Sequence, residues 1–152
     1  GHSILVDQIE KLVEDFIKDN DILKDGNLLE FESSNVNDII NVSIEKYSLN
    51  TCEIIYDQKD NESMVIKVNY NICLNGEIFV FDPYESIYDE NDEEYIYPIY
   101  KTTDKLDIKN LEIYIELFKD KNGNYKNYKI IDRCLIDITD YLSKMELHCK
   151  DN

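Results

Sequence analysis

The densest group of potentially reactive side chains lies between residues 82 and 97, where carboxylates alternate with tyrosines. Carboxylates can hold a hard cation such as Ca²⁺, steer a basic partner towards the chain, or simply keep a loop solvated. Tyrosines supply large contact area at low cost in side-chain entropy, which suits a protein-binding surface. The residues that we predict to form such a surface are Asp82, Tyr84, Tyr88, Asp89, Glu90, Asp92, Glu93, Glu94, Tyr95 and Tyr97.

Metal-binding motifs are poorly matched. An EF-hand loop requires glycine at its sixth position and glutamate at its twelfth, whereas residues 120–124 place glycine fourth and no glutamate follows at the twelfth position. Asp57-x-Lys59 resembles half of the D/E-x-K arrangement of metal-dependent nucleases, but so short a match carries little weight in a chain rich in both residue types. We predict neither a metal ion nor any other cofactor.

Histidine and cysteine offer little basis for catalysis. The two histidines, His2 and His148, stand near the ends of the chain, where neither can anchor a catalytic triad. The four cysteines are widely separated, and Cys73 and Cys134 lie in apolar runs without a partner base, so we predict reduced structural thiols. Phosphate-binding glycine motifs and G-x-S-x-G are missing from the sequence. We therefore predict no catalytic residue and favour a protein that is not an enzyme.

The charge of the chain restricts its partners. Thirty-three Asp and Glu against 16 Lys and Arg give a formal net charge of −17. Such a field repels nucleic-acid phosphates and anionic lipids. No apolar run reaches the roughly 18 residues that a membrane span requires, so we expect a cytoplasmic protein that contacts neither nucleic acid nor membrane directly. Heavy use of Ile, Asn, Lys and Tyr indicates an AT-rich genome.

The first part of the chain predicts one amphipathic helix. Apolar residues between positions 5 and 16 recur at helical spacing, which predicts a helix over residues 4 to 19. Gly1-His2-Ser3 resembles the remnant of a cleaved tag. Since 152 residues suit one hydrophobic core, we treat residues 4–149 as a single domain, and as a candidate fragment of a longer protein.

Alternating patterns in the remainder predict strands. Runs at residues 40–44 and 52–56 are followed by the clearest pair, residues 64–74 and 77–81, and Asn75-Gly76 between them predicts a two-residue hairpin turn. A second hairpin is predicted at residues 111–131 around Gly123, and a short C-terminal helix at residues 137–147. The predicted fold is α+β, an N-terminal amphipathic helix packed on a curved antiparallel sheet of about five or six strands.

The order of these elements resembles the acidic, strand-rich accessory module appended to bacterial PIN-like ribonuclease domains. The resemblance covers roughly residues 38–132 and rests on the strands at residues 64–74, 77–81 and 111–117, with an acidic tyrosine-rich segment at residues 89–97 and the turn at Gly123. It implies an accessory module without an active site of its own, and no catalytic residues are carried over.

Three functions follow as hypotheses. The favoured one is a non-catalytic interaction or regulatory domain that presents its acidic, tyrosine-rich surface to a basic protein or neighbouring domain. The second is an inhibitor that imitates nucleic acid and occupies a basic groove. The third is a carboxylate-based metal-dependent hydrolase.

Overall fold

The chain opens with the helix that its apolar spacing predicts. A computed structural model describes residues 4–32, 37–58 and 63–148, and its first element is α1 (Ile4–Asp19). Val13 and Ile17 are fully buried on one side of α1, whereas Leu12 is exposed. Two short 3-10 segments follow, Ile22–Lys24 and Gly26–Leu28, and they bury Ile22, Leu23 and Leu28. The described helices include none long and apolar enough to cross a membrane.

Strands make up most of the rest of the described chain. They are β1 (Leu29–Glu32), β2 (Asn37–Gln58), β3 (Ser63–Phe81), β4 (Ile87–Asp89), β5 (Glu94–Tyr97), β6 (Tyr100–Lys119), β7 (Tyr125–Asp132), β8 (Cys134–Asp137) and β9 (Glu146–His148). The main sheet has the order β2-β3-β6-β7, its pairs are antiparallel, and β9 pairs with the start of β6. Two small sheets complete the fold, parallel β1-β8 and antiparallel β4-β5.

The core lies on one face of the main sheet, where α1, the 3-10 segments and β8 contribute to it. Alternate residues of β3 are buried from Met64 to Leu74, and they pair with buried residues of β6, as in Val68 opposite Ile113. Val13 and Ile17 of α1 belong to the same hydrophobic cluster. Period-2 burial on the strands and period-3.6 burial on the helix thus contribute to one hydrophobic cluster. The predicted α+β class, with a helix and a mostly antiparallel sheet, is confirmed.

The predicted hairpin at Asn75-Gly76 is wrong. β3 continues through both residues as one strand of 19 residues. Both ladders shift register here, and Gly76 has a φ of +142°, which side-chain-bearing residues rarely adopt. The Asn-Gly pair therefore forms a bulge. A hairpin would pair β3 with itself over a few residues, whereas the continuous strand forms hydrogen bonds with β2 on one edge and β6 on the other.

Three further predictions can be compared with the fold. The runs at residues 40–44 and 52–56 belong to one strand, β2, whose pairing with β3 shifts register four times. The hairpin around Gly123 is confirmed, with β6 and β7 antiparallel and Gly123 at a φ of +81°. The predicted short α-helix at residues 137–147 is not confirmed, because the chain there forms a 3-10 segment, Ile138–Lys144, followed by β9.

Candidate functional site

The predicted binding residues come together in the connection between the two central strands. Phe81 and Tyr100 form the final pair of the β3-β6 ladder, and the Asp82 amide donates to the Ile99 carbonyl at 2.9 Å just beyond it. Between these points the chain folds back on itself through β4 and β5. We call residues 82–99 the acidic hairpin, because they contain seven carboxylates and no lysine or arginine.

The base of the acidic hairpin is held by a buried ion pair. Asp82 is only 2% exposed, and its Oδ2 lies 3.3 Å from Nζ of Lys101, which is 3.5 Å from Glu85 Oε2. Oδ1 of Asp82 also accepts a hydrogen bond from the Tyr84 amide at 2.8 Å. A buried carboxylate needs such partners to offset its lost hydration. Asp82, predicted as part of the binding surface, is therefore placed where it supports the hairpin.

A serine joins the two ends of the hairpin. The Ser86 hydroxyl donates to the Asp82 carbonyl at 2.5 Å and accepts from the Ile99 amide at 2.8 Å. Neither Ser86 nor Lys101 is among the binding residues predicted from the sequence. Lys101 could have been found as the first cation after a long run of carboxylates, whereas nothing in the sequence distinguishes Ser86 from other loop serines.

A chain of aromatic rings leads from the main sheet into the hairpin. Tyr95 meets Phe81 edge to face at 4.6 Å between ring centroids, and Phe81 meets Tyr100 at 5.7 Å. Tyr95 also contacts Tyr88 across the β4-β5 pair, at 5.0 Å. Edge-to-face pairs contribute about 0.5–1.5 kcal/mol each beyond the area that they bury. Tyr95 is thus an internal support of the hairpin, while Tyr88 continues the row towards solvent.

A bulge in β5 leaves apolar pairs on both faces of the hairpin. Ile87 lies opposite Tyr97 and Tyr88 lies opposite Tyr95, so β4 advances by one residue where β5 advances by two. Because opposed residues share a face and successive residues of β4 point to opposite faces, Tyr88 and Tyr95 lie on one side of the hairpin and Ile87 and Tyr97 on the other. Asp89 and Glu94 form the next pair.

The hairpin is unusually apolar for an exposed segment. Among the described residues, half of the large hydrophobic side chains that are exposed belong to it, and their exposed fractions are 90% for Tyr84, 54% for Ile87, 48% for Tyr88, 53% for Ile96 and 63% for Tyr97. Exposed apolar surface that is concentrated in this way marks interaction sites more often than scattered single residues do.

The tip of the hairpin concentrates negative charge. Asp89, Glu90, Asp92, Glu93 and Glu94 form no ion pair with any described residue. Asp89 and Glu94 face each other across the two strands, an arrangement that like charges destabilise. Oδ1 of Asp89 accepts from the Asn91 amide at 2.9 Å, which orders the turn. A basic surface would relieve this repulsion. Within the described chain no cluster of metal-ligating side chains is present.

The other residues considered for catalysis lie elsewhere. The side chains of Asp57, Lys59, His2, His148 and Cys149 fall outside the described part of the chain. The three other cysteines are buried, and burial is the main reason that the pKa of each thiol is raised. For Cys52 the pKa rises to about 12, with Glu14 and Glu10 adding to the effect. A protonated buried thiol is a poor nucleophile.

A polar groove of about 320 Å³ on the other face of the main sheet is a competing candidate, lined partly by Ser48 and Asn71. Asn71 Oδ1 accepts from Asn50 Nδ2 and the Asn110 amide, each at 2.9 Å, and its Nδ2 donates to Ser48 Oγ and Asn50 Oδ1. All four hydrogen-bonding positions of Asn71 are thus occupied. Asn110 has a φ of +59° at a bulge in β6, so this network stabilises the backbone.

Comparison with known proteins identifies no relative of this chain. No protein-family model, curated protein or solved structure matches this chain significantly. The resemblance to an accessory module of PIN-like ribonucleases stays a prediction, and function has to be inferred from the geometry above.

Proposed function

We propose that this protein is a non-catalytic interaction or regulatory domain that binds a basic protein surface through the acidic hairpin. One observation carries the proposal. A single hairpin, anchored at its base, carries five tip carboxylates that form no ion pair with a described residue. The same hairpin carries half of the large hydrophobic side chains that are exposed in the described chain.

The anchoring favours recognition by an ordered surface. The buried Asp82–Lys101 pair, the Ser86 bridge and the ring contacts of Tyr95 all act on the hairpin before any partner arrives. Binding by a preorganised segment loses less conformational entropy than binding by a flexible loop. The hairpin therefore retains more of its interaction energy as affinity.

The two kinds of side chain have separate tasks. Carboxylates at the tip attract a basic partner and set its orientation, mainly by raising the rate of association. The exposed side chains of Ile87, Tyr88 and Tyr97 supply apolar contact. Tyrosines are enriched among the residues that dominate binding energy at interfaces. We expect tip carboxylates to govern salt dependence and the tyrosines to govern the lifetime of the complex.

The first experiment is affinity capture from a lysate of the native cell, followed by mass spectrometry. Wild-type protein is compared with a hairpin variant, D89N/E90Q/D92N/E93Q/E94Q, and with a control in which five exposed carboxylates outside the hairpin are converted to amides. The control substitutions are E30Q, E32Q, E53Q, D104N and D140N. Both variants remove the same charge, so only the position of the change differs.

The proposal predicts that wild type and control both capture a protein with a basic surface, and that the hairpin variant does not capture it. The captured protein should be released as the salt concentration increases. A Tyr88→Ser/Tyr97→Ser variant should release the same protein faster. Equal retention by the hairpin variant and the control would refute the proposal, because net charge alone would then explain the capture.

A further inference from the structure

A second surface without a partner lies at the far end of the strand that starts beside the acidic hairpin. β6 begins at Tyr100, next to the hairpin, and ends at Lys119, where the turn into β7 begins. Twenty extended residues span up to roughly 60 Å. β7 pairs with β6 on one edge, and no described strand pairs with its other edge. The backbone groups of that edge are open to another strand.

This second end of the sheet is basic in an otherwise acidic chain. Residues 119–133, which we call the basic hairpin, contain five basic residues and two carboxylates. The basic residues are Lys119, Lys121, Lys126, Lys129 and Arg133, and none forms an ion pair with a described residue. Tyr128 and Ile131 add exposed apolar surface beside them. The basic hairpin thus carries the features that complement the acidic hairpin.

We infer that a second copy of this chain is a partner of the acidic hairpin, which docks against β7 in the basic hairpin of the neighbouring copy. This inference rests on the proposed function and identifies its binding partner. Tip carboxylates face Lys126, Lys129 and Arg133, and the guanidinium of Arg133 can bind a carboxylate through two parallel hydrogen bonds. Open edges of β5 and β7 allow backbone pairing in addition.

The geometry of the contact determines the kind of assembly. Each copy offers an acidic end and a separate basic end, so docking one pair leaves another pair of ends available. Such head-to-tail contacts form rings when the rotation closes and open chains when it does not. An interface made by two short hairpins is small, for which dissociation constants from about 10 µM to about 1 mM are typical.

The high net charge does not prevent this contact at physiological salt. At 0.15 M the screening length is about 8 Å, so charges elsewhere on the two molecules hardly interact, whereas groups in contact still do. At very low salt the net charge of −17 on each copy acts over longer distances and opposes association. We therefore expect self-association to be strongest near physiological salt and to weaken at both lower and higher salt concentrations.

The test is analytical ultracentrifugation of charge-reversed variants at about 0.15 M salt and from about 10 µM to about 1 mM protein. The acidic-end variant is D92K/E93K/E94K and the basic-end variant is K126E/K129E/R133E. The matched control, K18E/K24E/K144E, changes net charge as much as the basic-end variant but at exposed lysines elsewhere. Circular dichroism and melting curves check that each variant folds.

Wild type and control should increase in average mass with concentration, while each end variant alone stays monomeric. Mixing the two end variants should restore association, because the reversed acidic end of one complements the reversed basic end of the other. Folded wild type that stays monomeric throughout, or a mixture that does not associate although wild type does, would overturn the inference. Hairpin-dependent capture of a different basic protein would then leave the proposed function intact, whereas loss of that capture as well would refute both.

Discussion

The acidic hairpin and the main sheet use the same kind of strand pairing but are stabilised differently. The main sheet buries one face of β3 and β6 in a hydrophobic cluster to which α1, the 3-10 segments and β8 also contribute. Apolar residues on the acidic hairpin are largely exposed. The ion pair and the ring contacts at its base link it to the sheet, and the serine bridge joins its two ends. The sheet therefore supplies most of the stability, the proposed binding surface lies at the tip of the hairpin, and the base connects the two. Variants in the three regions should have separable effects.

The base should be the most sensitive position. Lys101→Met leaves Asp82 buried without a cation, and breaking a buried pair in this way costs about 3 kcal/mol in the free energy of unfolding. Lys105→Met is the matched control, since Lys105 is 67% exposed and lies 3.9 Å from Glu45, so it should cost less than about 0.5 kcal/mol. Urea unfolding measures both. Equal losses would show that the base is no more important than the surface.

Alkaline pH should lower the free energy of unfolding through the buried thiol of Cys52. In the folded protein the pKa of Cys52 is raised to about 12, mainly by burial, so its thiol stays protonated while the unfolded chain releases the proton in the ordinary thiol range. Above that range the unfolded state binds fewer protons, so stability falls as pH rises, by up to about 1.4 kcal/mol per pH unit. Urea unfolding from pH 7 to 11 should show a shallower decline for Cys52→Ala. An unchanged slope would contradict this role of Cys52.

Loss of the serine bridge should loosen the hairpin without unfolding the sheet. Ser86→Ala removes two hydrogen bonds and leaves the Ile99 amide unpaired, a change that costs about 1.5 kcal/mol. Hydrogen exchange should become faster for amides of β4 and β5 than for those of β3. Ser43→Ala, whose hydroxyl makes one exposed contact of 3.5 Å, serves as the control. Unaltered exchange in β4 and β5 would mean that the bridge does not order the hairpin.

Removing one buried hydroxyl group from the main sheet should stabilise the protein. Tyr70 is fully buried at the centre of β3, and its hydroxyl has no hydrogen-bond partner among the described residues. Tyr70→Phe should therefore raise the free energy of unfolding by about 1 kcal/mol. Tyr128→Phe, which loses a 3.2 Å hydrogen bond to Asp25, should lower it slightly. Destabilisation by Tyr70→Phe would reveal a partner for the hydroxyl.

The tip should have the smallest effect on stability and the largest on binding. Converting the five tip carboxylates to amides relieves the repulsion between Asp89 and Glu94, so the melting temperature should stay constant or rise. The free energy of unfolding should change by less than about 0.5 kcal/mol. Differential scanning calorimetry provides the measurement. A large loss of stability would place the tip carboxylates within the structural framework of the fold.

Two Asn-Gly pairs show where sequence patterns succeed and where they mislead. At residues 122 and 123 the pair forms the predicted turn, aided by Asp120, whose Oδ1 accepts from the amides of Asn122 and Asn124. At residues 75 and 76 the same pair forms a bulge within β3. Both local signals permit a turn. The difference comes from β2 and β6, which pair with both edges of β3 and make the continuous strand the better-bonded state.

The candidate site was only partly accessible to sequence reasoning. The density of carboxylates and tyrosines identified the segment, because composition alone reveals charge and contact potential. The burial of Asp82 against Lys101 was not visible, since it depends on the side chains meeting where β3 and β6 pair. The pairing of Ile87 with Tyr97 and of Tyr88 with Tyr95 depends on a one-residue bulge that no pattern in the segment predicts.

The extent of α1, the α+β class and the turn at Gly123 can be predicted from local sequence, because they depend on interactions between residues only a few positions apart. The bulge at Asn75-Gly76 and the parallel pairing of Leu29 with Cys134, more than a hundred positions apart, depend on contacts between distant segments. Tertiary structure also decides which carboxylate is buried at the base of the acidic hairpin and which remain exposed at its tip. Such outcomes depend on competition between distant segments for the same hydrogen bonds and the same buried space, and local sequence does not record the result of that competition.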